Sequence, residues 1–493
     1  MKINMELKKI LSGLEGLKAK GNLDLDIKQI ESDSRKIKKD SMFVAIKGFD
    51  ANGNDYIADA IKNGATAVMV QEGTDLRKLK IPTETTLIVA PDTRYGLAIV
   101  AQNFYKNPAK KFKLVGITGT KGKTTTSFMI KAILEKQGKK VGLIGTIAKY
   151  IGNEKLEDSD RTTPDSLELQ RLFTKMAKEK VDIVIMEVSS QSLKLDRVAG
   201  LEFEVGVFTN FQKDHISPKE HPDMEDYFNS KVKLFSMCKK AYINADDLQV
   251  QKVAKMDLPC EVKTYGIDNP SKILAKDITV TSETVDFKVK IGERNERVKV
   301  GIPGRFSVYN SLAAICVAME FGATAEQINE ALLNIKVPGR SELVENDRNI
   351  TIMIDYAHSP ESLESILSAL KDYAKGKLIS VFGCGGDRDS SKRPLMGEIS
   401  GRIADFTIIT SDNPRTEEPG KIIKQIEAGI KKTNGKYICI EDRREAIKEA
   451  IKMANKRDVI VLAGKGHEPY QEINGVKHDF DERVIVKQIM EEL

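Results

Sequence analysis

An apolar, β-prone run from Phe112 to Ile117 leads into Thr118-Gly119-Thr120-Lys121-Gly122-Lys123-Thr124, and a helical pattern continues from about Thr124 to Lys136. A strand, a glycine-rich turn and a helix that opens on Gly-Lys-Thr constrain the chain to a parallel α/β sheet. They are also the physical recipe for a triphosphate cradle. Glycines let backbone N–H groups close on phosphate oxygens, and the helix N-terminus adds its partial positive charge. In such a cradle Gly119, Thr120, Lys121, Gly122, Lys123, Thr124 and Thr125 would surround the triphosphate. Lys123 reaches the β- and γ-phosphates, and the Thr124 hydroxyl can ligate Mg²⁺. The turn departs from the common pattern at Ile117, where glycine is usual. A glycine turn that binds nothing is the plain alternative; the flanking strand and helix speak against it.

Strands and helices alternate beyond this point, with Val141–Gly145, a helix over Ser166–Lys178, then Val181–Val188 and Glu204–Thr209. That alternation implies a mostly parallel sheet. Alternating β pattern replaces it around Thr279 to Val300, followed by a helix from about Ser307 to Glu320. Val337-Pro338-Gly339-Arg340 looks like an interdomain link. After it a second series begins, with strands at Thr351–Tyr356, Lys377–Phe382, Phe406–Thr410, Tyr437–Ile440 and Val459–Ala463. The fold class expected is therefore α/β in three domains: a small N-terminal α/β domain (1–108), a central P-loop parallel-sheet ATPase domain (109–336) and a C-terminal doubly wound, Rossmann-like domain (337–493). A length of 493 residues suits about three domains.

Chemistry in open parallel sheets gathers at the carboxyl ends of strands. Glu187 closes the apolar strand Val181–Val188, followed by Ser189-Ser190; Thr209-Asn210 and Asp214-His215 follow the next strand. Glu187, His215 and Thr124 together would offer Mg²⁺ a hard, mostly oxygen environment. An acid that caps a helix and a structural histidine are the alternatives. The C-terminal series repeats the habit with Asp355-Tyr356-Ala357-His358, Gly385-Gly386-Asp387-Arg388-Asp389, Asp412-Asn413-Pro414-Arg415 and Gly464-Lys465-Gly466-His467-Glu468. Arg388 and Arg415 can grip carboxylates with paired hydrogen bonds, and Glu468 can hold an ammonium, which suits a zwitterion such as an amino acid. Surface ion pairs are the alternative.

The net charge of +6 is small for this length, and its lysines are scattered, which fits solvated helix faces better than a nucleic-acid track. The five cysteines are widely spaced and form no Cys-x-x-Cys pair, which points to a reducing compartment. No window has the length of a membrane span, and the N-terminus lacks a signal-peptide core. The expectation is a cytoplasmic protein with no nucleic-acid partner and no membrane insertion, acting as a monomer.

Taken together with Asp33-Ser34-Arg35, Thr162-Thr163-Pro164 and Met186-Glu187-Val188-Ser189-Ser190, these motifs resemble the Mur ligase family over nearly the whole chain. Within it they are most similar to the members that make UDP-N-acetylmuramoyl-tripeptide. The resemblance implies an N-terminal domain for the uridine nucleotide, a central ATPase and a C-terminal domain for the amino acid. It implies that Ser32, Ser34, Arg35 and the Phe49-Asp50-Ala51 region serve the uridine diphosphate, and that Thr162, Thr163, Ser189 and Arg197 line the muramoyl-dipeptide site. Asn310 and Arg340 become nucleotide contacts, with Asp355 near the ribose or the domain link. Arg388, Asp412, Asn413, Pro414, Arg415, Gly464 and Glu468 become the diaminopimelate site.

Lys231, in Tyr227-Phe228-Asn229-Ser230-Lys231, matches a lysine the family carbamylates; on its residues alone it reads as a solvated helix lysine. By resemblance Lys123, Glu187, His215 and Lys231 are catalytic, and Thr124, Glu187, His215 and Lys231 hold the metal. Arg161, Gln191 and Leu195 depart from the family pattern beside the dipeptide.

The implied reaction is ATP-dependent amide formation through an acyl phosphate, with meso-diaminopimelate and UDP-N-acetylmuramoyl-dipeptide as small-molecule substrates. Arg415 would meet the distal carboxylate of diaminopimelate. With L-lysine bound it would be left unpaired, at a cost on the order of a few kcal/mol. An L-lysine-adding homologue, a folylpolyglutamate synthetase-like ligase and a nucleotide-binding regulator are the competing readings. Asp33-Ser34-Arg35 and Asp412-Asn413-Pro414-Arg415 weigh against the second, and Glu187, His215 and Lys231 against the third.

Overall fold

Lys113–Thr118 forms the strand ahead of the phosphate loop, and Lys123–Lys136 the helix after it. The structure is a computed structural model describing residues 3–49, 51–214, 216–217, 220–281 and 283–493. His215 and Asp50 lie outside the described residues. The chain divides into two compact units, Met1–Tyr265 and Gly266–Leu493.

In the first unit, Lys18–Lys20, Thr86–Ala90, Ala65–Gln71, Ser41–Val44 and Gln29–Glu31 lie side by side in that order. A second sheet runs Val141–Ile144, Ile183–Glu187, Lys113–Thr118, Phe203–Phe208, Cys238–Asn244 and Glu261–Gly266, all parallel. Lys113–Thr118 therefore has Ile183–Glu187 on one side and Phe203–Phe208 on the other. The chain leaves it, crosses to Val141–Ile144 and returns, so the phosphate loop opens at the topological switch point, where α/β sheets bind ligands. Val184, Ile185 and Met186 are wholly buried, because this strand is covered on both faces. Ile130, Ile133 and Leu134 bring the helix down onto the sheet.

In the second unit, Lys276–Val280, Val285–Ile291 and Arg294–Val300 form an antiparallel meander. Thr351–Asp355, Val459–Ala463, Leu378–Phe382, Phe406–Ile409 and Tyr437–Cys439 form a parallel sheet, with Glu342–Val344 antiparallel at its edge. Helices such as Pro360–Lys371 and Arg443–Met453 cover it through two separate apolar clusters, the doubly wound arrangement expected. Two hairpins went unanticipated: Ala148–Ile151 with Glu154–Asp158, and Tyr470–Ile473 with Val476–Asp479. Among the described residues no helix is long and apolar enough to cross a membrane.

The reading of Lys231 as a solvated helix lysine is corrected here. It lies on the helix Met224–Val232 and is 1% exposed. Tyr227, one turn earlier on the same face, is also buried, so this face turns inward and carries the lysine with it.

Candidate active site

The phosphate loop is held by the next strand's end. Asn210 accepts the Lys121 N–H on its side-chain oxygen (2.8 Å) and the Thr120 N–H on its carbonyl (2.9 Å), and its amide donates to the Lys121 carbonyl (3.0 Å). Thr209 Oγ1 donates to the same carbonyl at 2.6 Å. Gly119, at φ 144°, must be glycine: a Cβ there would lie 1.9 Å from Thr209 Oγ1. Gly122 caps the helix in the left-handed region, Lys123 opens it, and Thr124 and Thr125 are buried in its first turn. Lys123 Nζ donates to the carbonyls of Gly119 (2.8 Å) and Thr120 (3.1 Å), and Lys121 Nζ pairs with Asp214 (3.1 Å).

Glu187 is 1% exposed and faces this loop. Its Oε2 accepts from Thr124 Oγ1 (3.0 Å) and Thr146 Oγ1 (2.9 Å), and its Oε1 from the Thr146 N–H (3.0 Å). The alternative of a helix-capping acid is not what is seen. Thr146 was not singled out from sequence; its position just beyond the strand Val141–Ile144 is the signal that could have found it. Lys231 Nζ donates to the Gly119 carbonyl at 2.9 Å and lies 4.5 Å over the Tyr227 ring. Burial, and next the nearby charge of Lys123, hold its pKa well below the ordinary lysine value.

The residues expected around the dipeptide adjoin Glu187. Thr162 Oγ1 is 3.1 Å from Thr146 Oγ1, and Thr163 Oγ1 donates to the Glu187 carbonyl at 2.9 Å while accepting the Ser189 N–H at 3.0 Å. Ser189 caps the short helix Ser190–Lys194. Arg197 Nη1 donates to the Thr163 carbonyl at 3.1 Å, and burial lowers its pKa to about 10. In the N-terminal sheet's loop, Asp33 caps the turn Ser34–Lys36 and pairs with the exposed Arg35. Ser34 is buried and Ser32 exposed.

In the second unit, Asn310 is buried on the helix Arg305–Glu320. The Arg340 guanidinium lies 4.4 Å over the Tyr356 ring, and its buried Nε has no hydrogen-bond partner among the described residues. Asp355 accepts the Ser341 N–H at 2.7 Å, and burial raises its pKa. Asn413 links several predicted residues: its Nδ2 donates to Glu468 at 2.7 Å, and its Oδ1 accepts from Lys465 Nζ at 3.1 Å. Burial, and next the charge of Asp412, raise the Glu468 pKa. Gly464, at φ 115°, passes so close to Asp412 that a Cβ would sit 2.4 Å from its carboxylate. Pro414 is buried beside them. Arg388 is exposed, whereas Arg415 pairs with Glu472 (3.2 Å) and donates to the Gly386 carbonyl (2.7 Å). The expectation that Arg415 has no anionic partner without a substrate carboxylate is thereby corrected: Glu472 supplies one.

Residues 26–113, 117–318 and 339–466 match, in turn, the Mur ligase family catalytic domain, the Mur ligase middle domain and the Mur ligase glutamate ligase domain. The chain belongs to the Mur ligase family. It is an ATP-dependent amino-acid ligase. A UDP-N-acetylmuramoyl-L-alanyl-D-glutamate–2,6-diaminopimelate ligase of Caldanaerobacter subterraneus subsp. tengcongensis is 49% identical over 489 residues, 99% of each chain. A Mur ligase of the same description from Clostridium botulinum is 46% identical, covering 99% of this chain and 100% of that one. A solved structure of that description matches at TM-score 0.73 and 29% identity over 99% of both chains.

Proposed function

We propose that this ligase adds meso-diaminopimelate to UDP-N-acetylmuramoyl-L-alanyl-D-glutamate in peptidoglycan precursor synthesis, as a cytoplasmic monomer using ATP and Mg²⁺. The observation that carries this is 49% identity, end to end, with a relative named for that reaction. The domains would run 1–108 for the uridine nucleotide, 109–336 for ATP and 337–493 for the amino acid.

The chemistry follows from the residues around Glu187. A D-glutamyl carboxylate held by Thr162, Thr163, Ser189 and Arg197 would attack the γ-phosphate of ATP, forming an acyl phosphate and releasing ADP. Lys123 would turn from its resting carbonyls to the transferring phosphoryl group, where its charge counts most. The incoming amine would then attack the acyl carbon, expelling phosphate and losing a proton. Asn310 and Arg340 would hold the nucleotide, with Asp355 bracing the link through Ser341.

Thr124 Oγ1 and the Glu187 carboxylate form a hard oxygen pair that fits Mg²⁺, and His215 would be a further ligand by family match. Bound there, the ion would neutralise charge on the phosphoryl oxygens. Among the described residues no group of three His, Cys, Asp or Glu side chains stands ready for a metal. An ammonium at Lys231 does not suit the ion; a carbamate does, and the depressed pKa of this amine favours the neutral form that adds carbon dioxide.

For the amino acid, Glu468, oriented by the Asn413 amide, would take the distal ammonium and Arg415 the distal carboxylate. Arg388, Asp412, Pro414 and Gly464 complete this proposed site. Phosphate release with UDP-N-acetylmuramoyl-dipeptide, assayed with each amino acid in turn, tests the proposal. Turnover with diaminopimelate far above that with L-lysine is expected; equal use of L-lysine, or none of either, would refute it.

A further inference from the structure

Glu472 was not singled out from sequence, yet it is bound to Arg415 in two ways, and a third bond from the same hairpin flanks them. Its carboxylate accepts from Arg415 Nε at 3.2 Å, its carbonyl accepts the Arg415 N–H at 3.0 Å, and the next bond along, Asn474 N–H to the Arg415 carbonyl, is 2.8 Å. Its own N–H donates to Asn413 Oδ1 at 2.9 Å. The hairpin Tyr470–Ile473 and Val476–Asp479, turned by Asn474-Gly475, thus delivers one carboxylate to the cation of the amino-acid site. The side chains of Arg415 and Glu472 are 23% and 26% exposed, so an arriving anion can reach the pair. Arg415 is also held by the Gly386 carbonyl through Nη1, and neither bond uses Nη2. The guanidinium therefore keeps a donor for a second carboxylate, and keeps its position if the first is removed.

We infer that Glu472 is a specificity-determining residue, an internal anion that competes with the distal carboxylate of diaminopimelate for Arg415. The inference rests on the assignment of Arg415 to the amino-acid site. Two carboxylates on one guanidinium repel each other, which weakens the hold on diaminopimelate. A ligand without that carboxylate leaves Arg415 paired, so its penalty is small. Glu472 thereby narrows the gap between diaminopimelate and L-lysine.

The test compares kcat/KM for the two amino acids in wild type, Glu472→Gln, Glu472→Asp, Arg415→Ala and the Arg415→Ala/Glu472→Gln double variant, with Tm for each. Glu472→Gln should raise the preference for diaminopimelate roughly three- to tenfold, through a lower KM for diaminopimelate and a higher one for L-lysine. Glu472→Asp should fall between it and wild type, and the double variant should show the preference of Arg415→Ala alone. If Arg415→Ala abolishes the preference while both Glu472 variants leave it unchanged, or raise KM for diaminopimelate, the competition is refuted and the Arg415 assignment stands. If Arg415→Ala leaves the preference intact, the underlying assignment fails as well.

Discussion

Lys123 and Lys231 donate to the same carbonyl oxygen, that of Gly119, at 2.8 and 2.9 Å. Two ammonium groups sharing one acceptor repel each other. The more buried one bears the consequence, because water cannot screen it. Burial first, and then the charge of Lys123, hold the Lys231 amine well below the ordinary lysine pKa, so Lys231 is disposed to give up its proton.

Lys123→Ala is expected to lower kcat by on the order of 10²–10³ or more, with Tm near that of wild type, since the side chain is polar and at the helix start. Steady-state kinetics beside a thermal melt checks this. Near-normal turnover in a well-folded variant would remove the phosphate loop from the mechanism.

Lys231 should carry a carbamate in the working enzyme. Activity is expected to fall when carbon dioxide is stripped from the buffer and to return with bicarbonate, and Lys231→Arg should not recover it. Density for an unmodified Lys231 turned to solvent in the ATP-bound enzyme would contradict this.

Thr146→Val keeps the side chain's volume but takes one hydrogen bond from the Glu187 carboxylate. Activity at limiting Mg²⁺ is expected to drop about tenfold or more, and to recover partly at saturating Mg²⁺. A variant indistinguishable from wild type at both concentrations would show that Thr146 does not orient Glu187.

His221 bridges Asp226 Oδ2 (2.6 Å) and Ser190 Oγ (2.9 Å) with its side chain fully buried. Burial holds its pKa below the ordinary 6.5, against the opposing pull of Asp226. Between the folded and unfolded values the unfolded chain binds more protons, so stability is full above 6.5 and falls as pH drops toward the folded value. Tm should decline as pH falls below 6.5, and the decline should be shallower in His221→Gln. Parallel slopes in the two proteins would assign the acid sensitivity elsewhere.

Long-range order was the easier part to read from sequence. Val181–Val188 is apolar for most of its length because both faces of a parallel strand are covered, and that same run places Glu187 at the strand end without ambiguity. Lys231 reads as solvated on its residues alone because its helix also carries Glu225, Asp226 and Asn229, and a single turn of charge does not reveal which face turns inward. Asn474-Gly475 is a strong hairpin signal that was present but unread, and with it went Glu472. Thr146 carries a weaker signal: its place just past a parallel strand marks it as a candidate, but only the approach of Glu187 gives it a role.

The three hydrogen bonds between Asn210 and the loop at Thr120 and Lys121 bear on how fast nucleotide can enter. A loop tied down at amide and carbonyl alike has little disorder to surrender when phosphate arrives. Stopped-flow binding of a fluorescent ATP analogue should then be a single phase whose rate rises linearly with concentration. In Asn210→Ala a slower, concentration-independent phase should follow, as the freed loop finds the shape the strand end now imposes on it.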